Sequence, residues 1–381
     1  MKPKAHSKES AHRKSIDLHA NSLVICLGPG GVGKTTISAA LAVRAATFGC
    51  AVDVMTVDPA PRLLDALGLE ADSSEPIEVV LEGIRLARCG GSNRARLRAL
   101  RLDPKRTFDS IIARYALSDI ARDTILANRI YRNLSGALSG VADYMAMEKL
   151  LELAANPDTD LIVLDTPPAT EAIDFLDAPR RLLELLNSRA LSLLGAPAGI
   201  FKSQLRIVDM AARAVLAAFD RVTGLHLLGD VQSFVRSFDG MYEGFSARAA
   251  RAQDKLRASD TAIVIVTTAE SSRIAQAREF VSALEGAGLR VSAMVVNRVL
   301  AELPDAKELA SAHIAPSLKK KLKRNLADYA ALKTREEVSL SALRESIPAD
   351  AVLMVAPDLG REPRTIADLA EICRSLRNLS P

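Results

Sequence analysis

Short apolar runs alternate along the chain with longer stretches in which apolar residues recur at helical spacing. The apolar runs predict β-strands at residues 23–27, 51–57, 161–164, 261–266, 291–296 and 352–355. The helical spacing predicts helices at residues 35–48, 271–287 and 366–376. The strand runs are almost continuously apolar, which is typical of parallel strands covered on both faces. We therefore predict an α/β fold with a doubly wound, mostly parallel sheet.

Two segments depart from this alternation. Residues 94–155 are helical in pattern and arginine-rich at their start, and residues 179–256 are helical and rich in leucine and alanine. We predict that they form one α-helical subdomain inserted into a single domain at 21–381. The second segment contains the apolar runs 182–186, 190–201 and 214–219. Packing within the subdomain is one interpretation of these runs, and a groove for an apolar helical client is the other.

Composition and charge exclude several classes of protein. The chain has 381 residues, 49% of them apolar, which is enough for a large core, and its net charge of +4 does not call for a nucleic-acid partner.

The basic and polar composition of residues 1–20 predicts a disordered tail, with attraction to an acidic membrane as the alternative. The basic run 316–326 predicts a solvated helix face, with contact to anionic lipid or a partner as the alternative. No apolar run is long enough to cross a bilayer, so we expect a soluble, cytoplasmic protein with at most indirect or transient membrane contact.

The four cysteines are scattered along the chain without a CxxC pair, as Cys26, Cys50, Cys89 and Cys373. Such a distribution indicates a reducing compartment and small buried side chains, rather than disulfides, metal ligands or redox groups.

The motif GPGGVGKT at residues 28–35 predicts a phosphate-binding loop. Gly28, Gly33, Lys34 and Thr35 hold the fixed positions, and the motif follows a predicted strand and opens a predicted helix. Glycines allow the backbone N–H groups to face the phosphates, while the lysine reaches the β- and γ-phosphates and the threonine hydroxyl binds Mg²⁺. The predicted nucleotide-binding residues of the loop are Gly28, Gly30, Gly31, Val32, Gly33, Lys34, Thr35 and Thr36.

Two further strands end in an aspartate. Asp165 follows the apolar run 161–164, where it suits a carboxylate of the Mg²⁺ site alongside Thr35. Asp58 follows the run 51–57 and precedes two prolines, where it could orient the attacking water as a catalytic residue with Lys34. The alternative for Asp58 is the N-cap of a helix that begins near Arg62.

Several stretches resemble the arsenite-pump and tail-anchored-protein-targeting ATPases, a family of P-loop NTPases. They are GGVGKTT at 30–36, VDPAPRLLDALG at 57–68, DTPPATEAIDFLDAP at 165–179, residues 128–150, and MVVNRV at 294–299. The resemblance implies an ATP- and Mg²⁺-dependent ATPase that forms a homodimer, with a helical subdomain beside each core. It also implies that Asp58 positions the hydrolytic water, Asp165 opens the second switch, Asn297 reads adenine, and Pro357 and Asp358 close over the base.

The sequence departs from this family at several positions. Pro29 stands where relatives have a lysine that reaches the partner subunit's phosphates, so the partner is either a second copy or a paralogue that has the lysine. Pro61 and Arg62 replace a histidine and a small polar residue, and Arg62 could supply positive charge instead. The absence of CxxC leads us to expect no zinc.

Three functions follow from these observations. The first is a Mg²⁺-dependent, dimeric ATPase that couples hydrolysis to switching of a helical client-binding subdomain, in the manner of membrane-protein targeting. The second is the soluble ATPase of an anion efflux system of the arsenite type, although the chain has one phosphate loop and no cysteine cluster. The third is a switch that positions itself on a membrane or DNA surface, although no terminal membrane helix or basic DNA-binding stripe is evident.

Overall fold

A computed structural model describes residues 18, 22–70, 73–81, 95–129, 131–132, 139–167, 169–186, 241–302 and 314–379. The predicted basic tail, apart from Leu18, lies outside the described residues, as do the apolar runs 190–201 and 214–219 and Cys89. The chain divides into two compact units. The first comprises residues 1–101, 157–172 and 259–381, and the second comprises residues 102–156 and 173–258.

The described elements, in chain order, are β1 (Leu23–Leu27), α1 (Lys34–Thr47), β2 (Ala51–Thr56), α2 (Arg62–Ala66), β3 (Ile77–Glu78), β4 (Arg96–Arg101), α3 (Pro104–Tyr115), α4 (Asp119–Ala127), α5 (Ser139–Ala154), β5 (Leu161–Asp165), α6 (Ala169–Leu186), α7 (Tyr242–Arg257), β6 (Thr261–Thr268), α8 (Ser271–Gly286), β7 (Val291–Val299), α9 (Pro316–Arg344), β8 (Val352–Pro357), α10 (Ile366–Ser375) and β9 (Arg377–Asn378).

The strands form one mostly parallel sheet in the first unit. Among the described residues its order is β3-β4-β2-β5-β1-β6-β7-β8-β9, and only the short edge strands β3 and β9 pair antiparallel. Every residue of β1, β2, β5 and β6 is buried, as expected for strands covered on both faces. Strands β5, β2, β4 and β3 lie on one side of β1, and β6 to β9 lie on the other side. The connections therefore leave β1 in two directions, and a crevice forms at the carboxyl end of this strand, which is where doubly wound folds bind ligands. The predicted fold class is confirmed.

The six predicted strands and three predicted helices are all present, with ends that differ by up to three residues. One prediction is wrong: the segment 94–155 was expected to be helical from its arginine-rich start, but Arg96–Arg101 forms β4. The first four residues of its sequence RLRALR alternate polar and apolar at the period of a strand, and the apolar residues Leu97, Ala99 and Leu100 are buried. The edge strands β3 and β9 were not predicted because two residues carry no periodicity.

The second unit is helical in its described residues. Its core consists of Phe108, Ile111, Ile112, Ile125, Tyr131, Tyr144, Met145, Ala178, Met241, Phe245 and Ala249. Aromatic rings hold it together, since the Phe108 ring lies 5.1 Å from Tyr131 and 6.2 Å from Phe245, both edge-on. The strand β4 occupies the start of the first proposed helical segment, 94–155. The other limits of the helical insertion, up to 155 and from 179 to 256, stay a prediction. No helix of the described chain has the length and apolarity that a membrane crossing requires.

A buried ion pair joins two neighbouring strands of the sheet. The Asp53 side chain on β2 is 1% exposed, and Arg98 on β4 donates to its two oxygens, with Nε–Oδ1 and Nη2–Oδ2 distances of 2.7 Å. The Thr159 hydroxyl donates to Oδ2 at 2.8 Å. The carboxylate is thus fully satisfied in a place from which water is excluded.

Replacing Arg98 by alanine is expected to lower the free energy of unfolding by about 3 kcal/mol, because it leaves the Asp53 charge buried without its cation. The measurement is urea unfolding followed by circular dichroism. The control is Arg290→Ala, which breaks the exposed Arg290–Asp350 pair and should cost about 0.5 kcal/mol or less. Equal losses in the two variants would show that the buried pair contributes nothing beyond a surface pair.

Candidate active site

The loop between β1 and α1 has the conformation of a phosphate cradle. Gly28 has φ 151°, and a Cβ there would lie 2.1 Å from the Val266 carbonyl oxygen of β6. Gly33 has φ 89°, and a Cβ there would lie 2.2 Å from the Asn297 amide nitrogen. Side chains are therefore excluded at both ends of the loop, and α1 begins immediately after it. The N-terminus of this helix presents free N–H groups and a partial positive charge, which suit a phosphate.

A cavity of about 680 Å³ opens over this loop in the first unit. Its size falls within the range of small-molecule sites. The lining residues are Gly30, Gly31, Gly33, Lys34, Thr35, Thr36, Asp58, Arg62, Asp65, Ala66, Thr166, Arg298, Glu362, Pro363 and Arg364. Six of the predicted phosphate-loop residues are among them, whereas the other two, Gly28 and Val32, are buried and do not line the cavity.

Lys34 lies inside the loop rather than in solvent. It is 8% exposed, and its Nζ donates to the Pro29 carbonyl oxygen at 3.1 Å. Burial lowers the pKa of Lys34, while the carboxylates of Asp165 and Asp58 oppose that shift. The ammonium group is thus held where bound phosphates would meet it.

Asp165 collects hydroxyl donors from two elements. Its Oδ2 accepts from Thr35 at 2.9 Å and from Thr56 at 3.0 Å, and its Oδ1 accepts from Ser38 at 3.3 Å. The predicted pair of metal-binding residues, Thr35 and Asp165, is therefore in direct contact. A hydroxyl and a carboxylate at a phosphate loop are oxygen ligands of the kind that Mg²⁺ takes, so these residues fit the ion.

Asp58 occupies a tight turn at the end of β2, beside the phosphate loop. Its Oδ1 accepts from the Ala60 N–H at 2.9 Å, and its Oδ2 lies 3.8 Å from Arg62 Nη1. The residue at the N-cap of α2 is Pro61, not Asp58, so the alternative reading of Asp58 as a helix cap is wrong. Both Asp58 and Arg62 line the cavity.

The sequence model of the anion-transporting ATPase family matches residues 21–334 of the chain. The chain belongs to this family. Membership makes it an ATP hydrolase of the P-loop type, and the resemblance drawn from the motifs is confirmed at the level of the family.

Three relatives have low sequence identity to the chain. The chain is 28% identical over 300 residues to an uncharacterised protein of Streptomyces coelicolor, covering 78% of this chain and 67% of that protein. It is 29% identical over 172 residues to ATPase GET3 of Malassezia globosa, covering 45% of this chain and 46% of the relative. It is 24% identical over 277 residues to ATPase get3 of Aspergillus terreus, covering 72% of each. The aligned part thus spans about half the length of the Malassezia protein.

Asn297, expected to read adenine in this ATPase, has two protein partners. Its Nδ2 donates to the Val32 carbonyl oxygen at 2.9 Å, and its Oδ1 accepts from the Arg298 N–H at 3.0 Å. The side chain is buried and ties β7 to the phosphate loop. A role in base recognition stays a prediction.

The loop after β8 reaches the cavity with residues that the motifs did not indicate. Glu362, Pro363 and Arg364 line the cavity, whereas the expected Pro357 and Asp358 do not. Pro357 ends β8, and the Asp358 N–H donates to the Val299 carbonyl oxygen at 2.8 Å. The sequence also gives no role to Asp65, Thr166 and Arg298, although they lie within the stretches that resemble the family, because only tertiary packing brings them to the loop.

The described cysteines of this ATPase do not contribute to the site. Cys26, Cys50 and Cys373 are buried, as predicted, and burial raises the pKa of Cys26 and of Cys373 to about 12. In the described ranges no three His, Cys, Asp or Glu side chains come together as a metal-binding group. The expectation that the chain holds no zinc stays a prediction.

Burial has a measurable consequence at Asp165. This side chain is 1% exposed, and loss of water raises the pKa of its carboxyl from 3.8 to about 6, against the opposing effect of the Thr35 and Thr56 hydroxyls. Because the folded-state pKa is raised, the folded protein holds a proton that the unfolded chain releases between about pH 4 and pH 6. Ionisation of Asp165 therefore lowers stability as the pH rises through that window.

Replacing Asp165 by asparagine is expected to stabilise the metal- and nucleotide-free protein at pH 8 by about 1–3 kcal/mol, the upper figure being the cost that corresponds to the raised pKa. The gain should vanish near pH 4, where the wild-type carboxyl is neutral, and ATP turnover should be lost at every pH. Thermal unfolding in EDTA measures the first effect, and Asp350→Asn at an exposed position is the control. A variant less stable than wild type at pH 8 would contradict a dominant desolvation cost.

Proposed function

We propose that the chain is a Mg²⁺-dependent ATPase that works as a dimer and couples hydrolysis to switching of its helical unit, which binds an apolar helical client. The observation that carries the proposal is a continuous chain of hydrogen bonds beneath the cavity. Thr35 donates to Asp165, Thr56 donates to the same carboxylate oxygen, and the Asp58 N–H donates to the Thr56 hydroxyl at 3.2 Å. The proposed metal-binding residues are thereby linked to the residue proposed to position water.

Each part of this constellation has a distinct chemical role in the proposed reaction. Lys34 and the N–H groups of the loop neutralise the charge that develops on the transferred phosphoryl group. Thr35 and Asp165 would hold Mg²⁺, which supplies positive charge to the β- and γ-phosphates. Asp58 accepts a hydrogen bond from the attacking water and orients it toward the γ-phosphate.

The segments beside Asp58 and Asp165 are suited to transmit the loss of the γ-phosphate. Arg62, Asp65 and Ala66 of α2 line the cavity, so this short helix would sense its contents. After β5, Thr166 lines the cavity and its hydroxyl donates to the Cys26 carbonyl oxygen at 2.8 Å. The chain then enters α6, whose residues from 173 onward belong to the helical unit. Ordering of such segments by a γ-phosphate is an established type of switch.

The helical unit exposes apolar side chains where α3 meets α4. Leu117 is 77% exposed, Ile120 is 81% exposed and Tyr115 is 40% exposed. Large apolar residues exposed side by side are typical of a surface that binds an apolar partner. Together with the resemblance of the motifs to tail-anchored-protein-targeting ATPases, these residues support an apolar helix of a membrane protein as the client.

Pro29 limits how the two subunits of the proposed dimer could contact each other's nucleotide. It carries neither a charge nor a backbone N–H, so it cannot contribute a cation to a second subunit's nucleotide. The proposed partner is therefore a second copy that dimerises without this contact, or a paralogue that supplies the lysine. We propose no nucleic-acid partner and only indirect or transient contact with membranes.

The efflux alternative has no support from the described cysteines. Cys26, Cys50 and Cys373 all belong to the first unit, and the raised pKa of Cys26 and Cys373 keeps these thiols protonated. A thiolate site for a metalloid needs several converging soft ligands.

Replacing Pro29 by lysine is expected to leave the Kd for Mg-ATP within about threefold of wild type, while it changes the ATP turnover per subunit in a concentration-dependent way. The reason is that the new cation acts only across a dimer. Light scattering with and without Mg-ATP gives the oligomeric state, and Lys34→Ala, which should lower kcat by a factor of about 100 or more, is the inactive control. Identical turnover of Pro29→Lys and wild type, or a monomer under all conditions, would contradict the dimeric switch.

The double variant Leu117→Asp, Ile120→Asp is expected to weaken binding of a labelled helical peptide of about 20 leucine and alanine residues by a factor of about ten or more. ATP turnover without peptide should be unchanged, because these residues belong to the helical unit. Fluorescence anisotropy measures the peptide Kd, and Val338→Asp, at an exposed apolar position of the first unit, is the control. Unchanged peptide affinity in the double variant would place the client elsewhere.

A further inference from the structure

The end of β7 departs from regular strand geometry at the phosphate loop. Its pairing with β8 shifts register between Val296 and Val299, and Arg298 within this bulge has φ 58°. Among the described residues, Arg298 is the only one other than glycine with a positive φ. An arginine in the left-handed region is strained, and such strain persists where the surrounding structure enforces it, often at functional sites.

The bulge changes where the Arg298 side chain points. In a regular strand, consecutive side chains face opposite sides of the sheet. Here Asn297 Nδ2 donates to the Val32 carbonyl oxygen, and Arg298 Nη1 lies 3.5 Å from the Gly31 carbonyl oxygen. Two consecutive residues thus reach the same loop. Bulges are known to re-aim side chains in this way near active sites.

No carboxylate among the described residues neutralises the charge of Arg298. Three arginines line the cavity, and two of them have carboxylate partners: Arg62 lies 3.8 Å from Asp58, and Arg364 lies 2.8 Å from Glu362. Within the described part of the chain, Arg298 has no carboxylate within ion-pair distance. The space above Gly31 is open as well, since a Cβ built there would meet no atom within 4 Å.

We infer that Arg298 binds phosphate oxygens of the nucleotide held by the loop of its own subunit. A guanidinium group suits this role because its planar set of donors matches phosphate oxygens. The contact would compensate for Pro29, which removes one N–H donor from the loop. The inference rests on nucleotide binding at this loop and adds a positioning contact that the loop motif does not contain.

The test uses five substitutions in the full chain, with Lys34→Ala as the control for the loop, and isothermal titration with Mg-AMP-PNP and with Mg-ADP. Arg298→Gly removes the guanidinium and relieves the backbone strain, so its loss of affinity does not reflect misfolding. Arg298→Lys keeps the charge. Arg298→Gln keeps a neutral donor that could still reach the Gly31 carbonyl oxygen. Arg290→Ala removes an exposed arginine that lies just before the start of β7.

We expect Arg298→Gly and Arg298→Gln to raise the Kd for Mg-AMP-PNP by a factor of about ten or more, the effect of losing one charge-assisted hydrogen bond. Arg298→Lys should recover part of the affinity, and Arg290→Ala should behave as wild type. Wild-type affinity in Arg298→Gln would overturn the inference, because it would mean that Arg298 only braces the Gly31 carbonyl. Wild-type affinity in Arg298→Gly would overturn it too.

The same titrations separate this inference from the function on which it rests. If wild type binds Mg-AMP-PNP and Lys34→Ala does not, the loop is the nucleotide site, and the Arg298 variants then decide the inference alone. If wild type itself does not bind either nucleotide, the proposed function and the inference both fail.

Discussion

Asp165 places a carboxylate at the end of a central strand, where water does not reach it, and the arrangement of the site depends on how that charge is satisfied. Its hydrogen bonds come from Thr35 and Ser38 on α1 and from Thr56 on β2. Because these donors belong to different elements, the carboxylate fixes the start of α1 and the end of β2 against β5. The phosphate loop, the turn that holds Asp58 and the start of the segment leading to α6 are all positioned around this one group.

This arrangement lowers the stability of the empty protein in order to place charged groups at the site. Burial raises the pKa of Asp165 to about 6, so the ionised form that would serve a metal is disfavoured in the empty site. Lys34 is also buried, and the same loss of water lowers its pKa. The two opposite charges moderate each other's cost, and ligands that bind the ionised forms would stabilise the fold further. Destabilised charges of this kind are common at functional sites.

Membership of the anion-transporting ATPase family accounts for the loop and the two strand-end aspartates, but it does not account for everything around them. Pro29 removes a donor from the loop, while the bulge in β7 directs Arg298 toward it. Lys34 meanwhile donates to the carbonyl of that same proline. The loop is therefore held by one contact within itself and by Arg298 of β7, which is far away in the sequence.

The sequence by itself determined six of the nine described strands, three of the helices, the phosphate loop, and the two aspartates, because periodicity and short motifs are local. The helix that it predicts at Arg96–Arg101 is a strand, and it carries no signal for the two-residue edge strands β3 and β9. It also marked Pro357 and Asp358, whereas Glu362 and Arg364 of the same loop line the cavity. Only the tertiary structure decided that Asn297 ties β7 to the loop, that Arg298 faces the cavity, and that Asp165 is ionised at a cost. Side-chain direction at a bulge and loss of solvent at a carboxylate both arise from neighbours that are remote in the chain, so no local pattern encodes them.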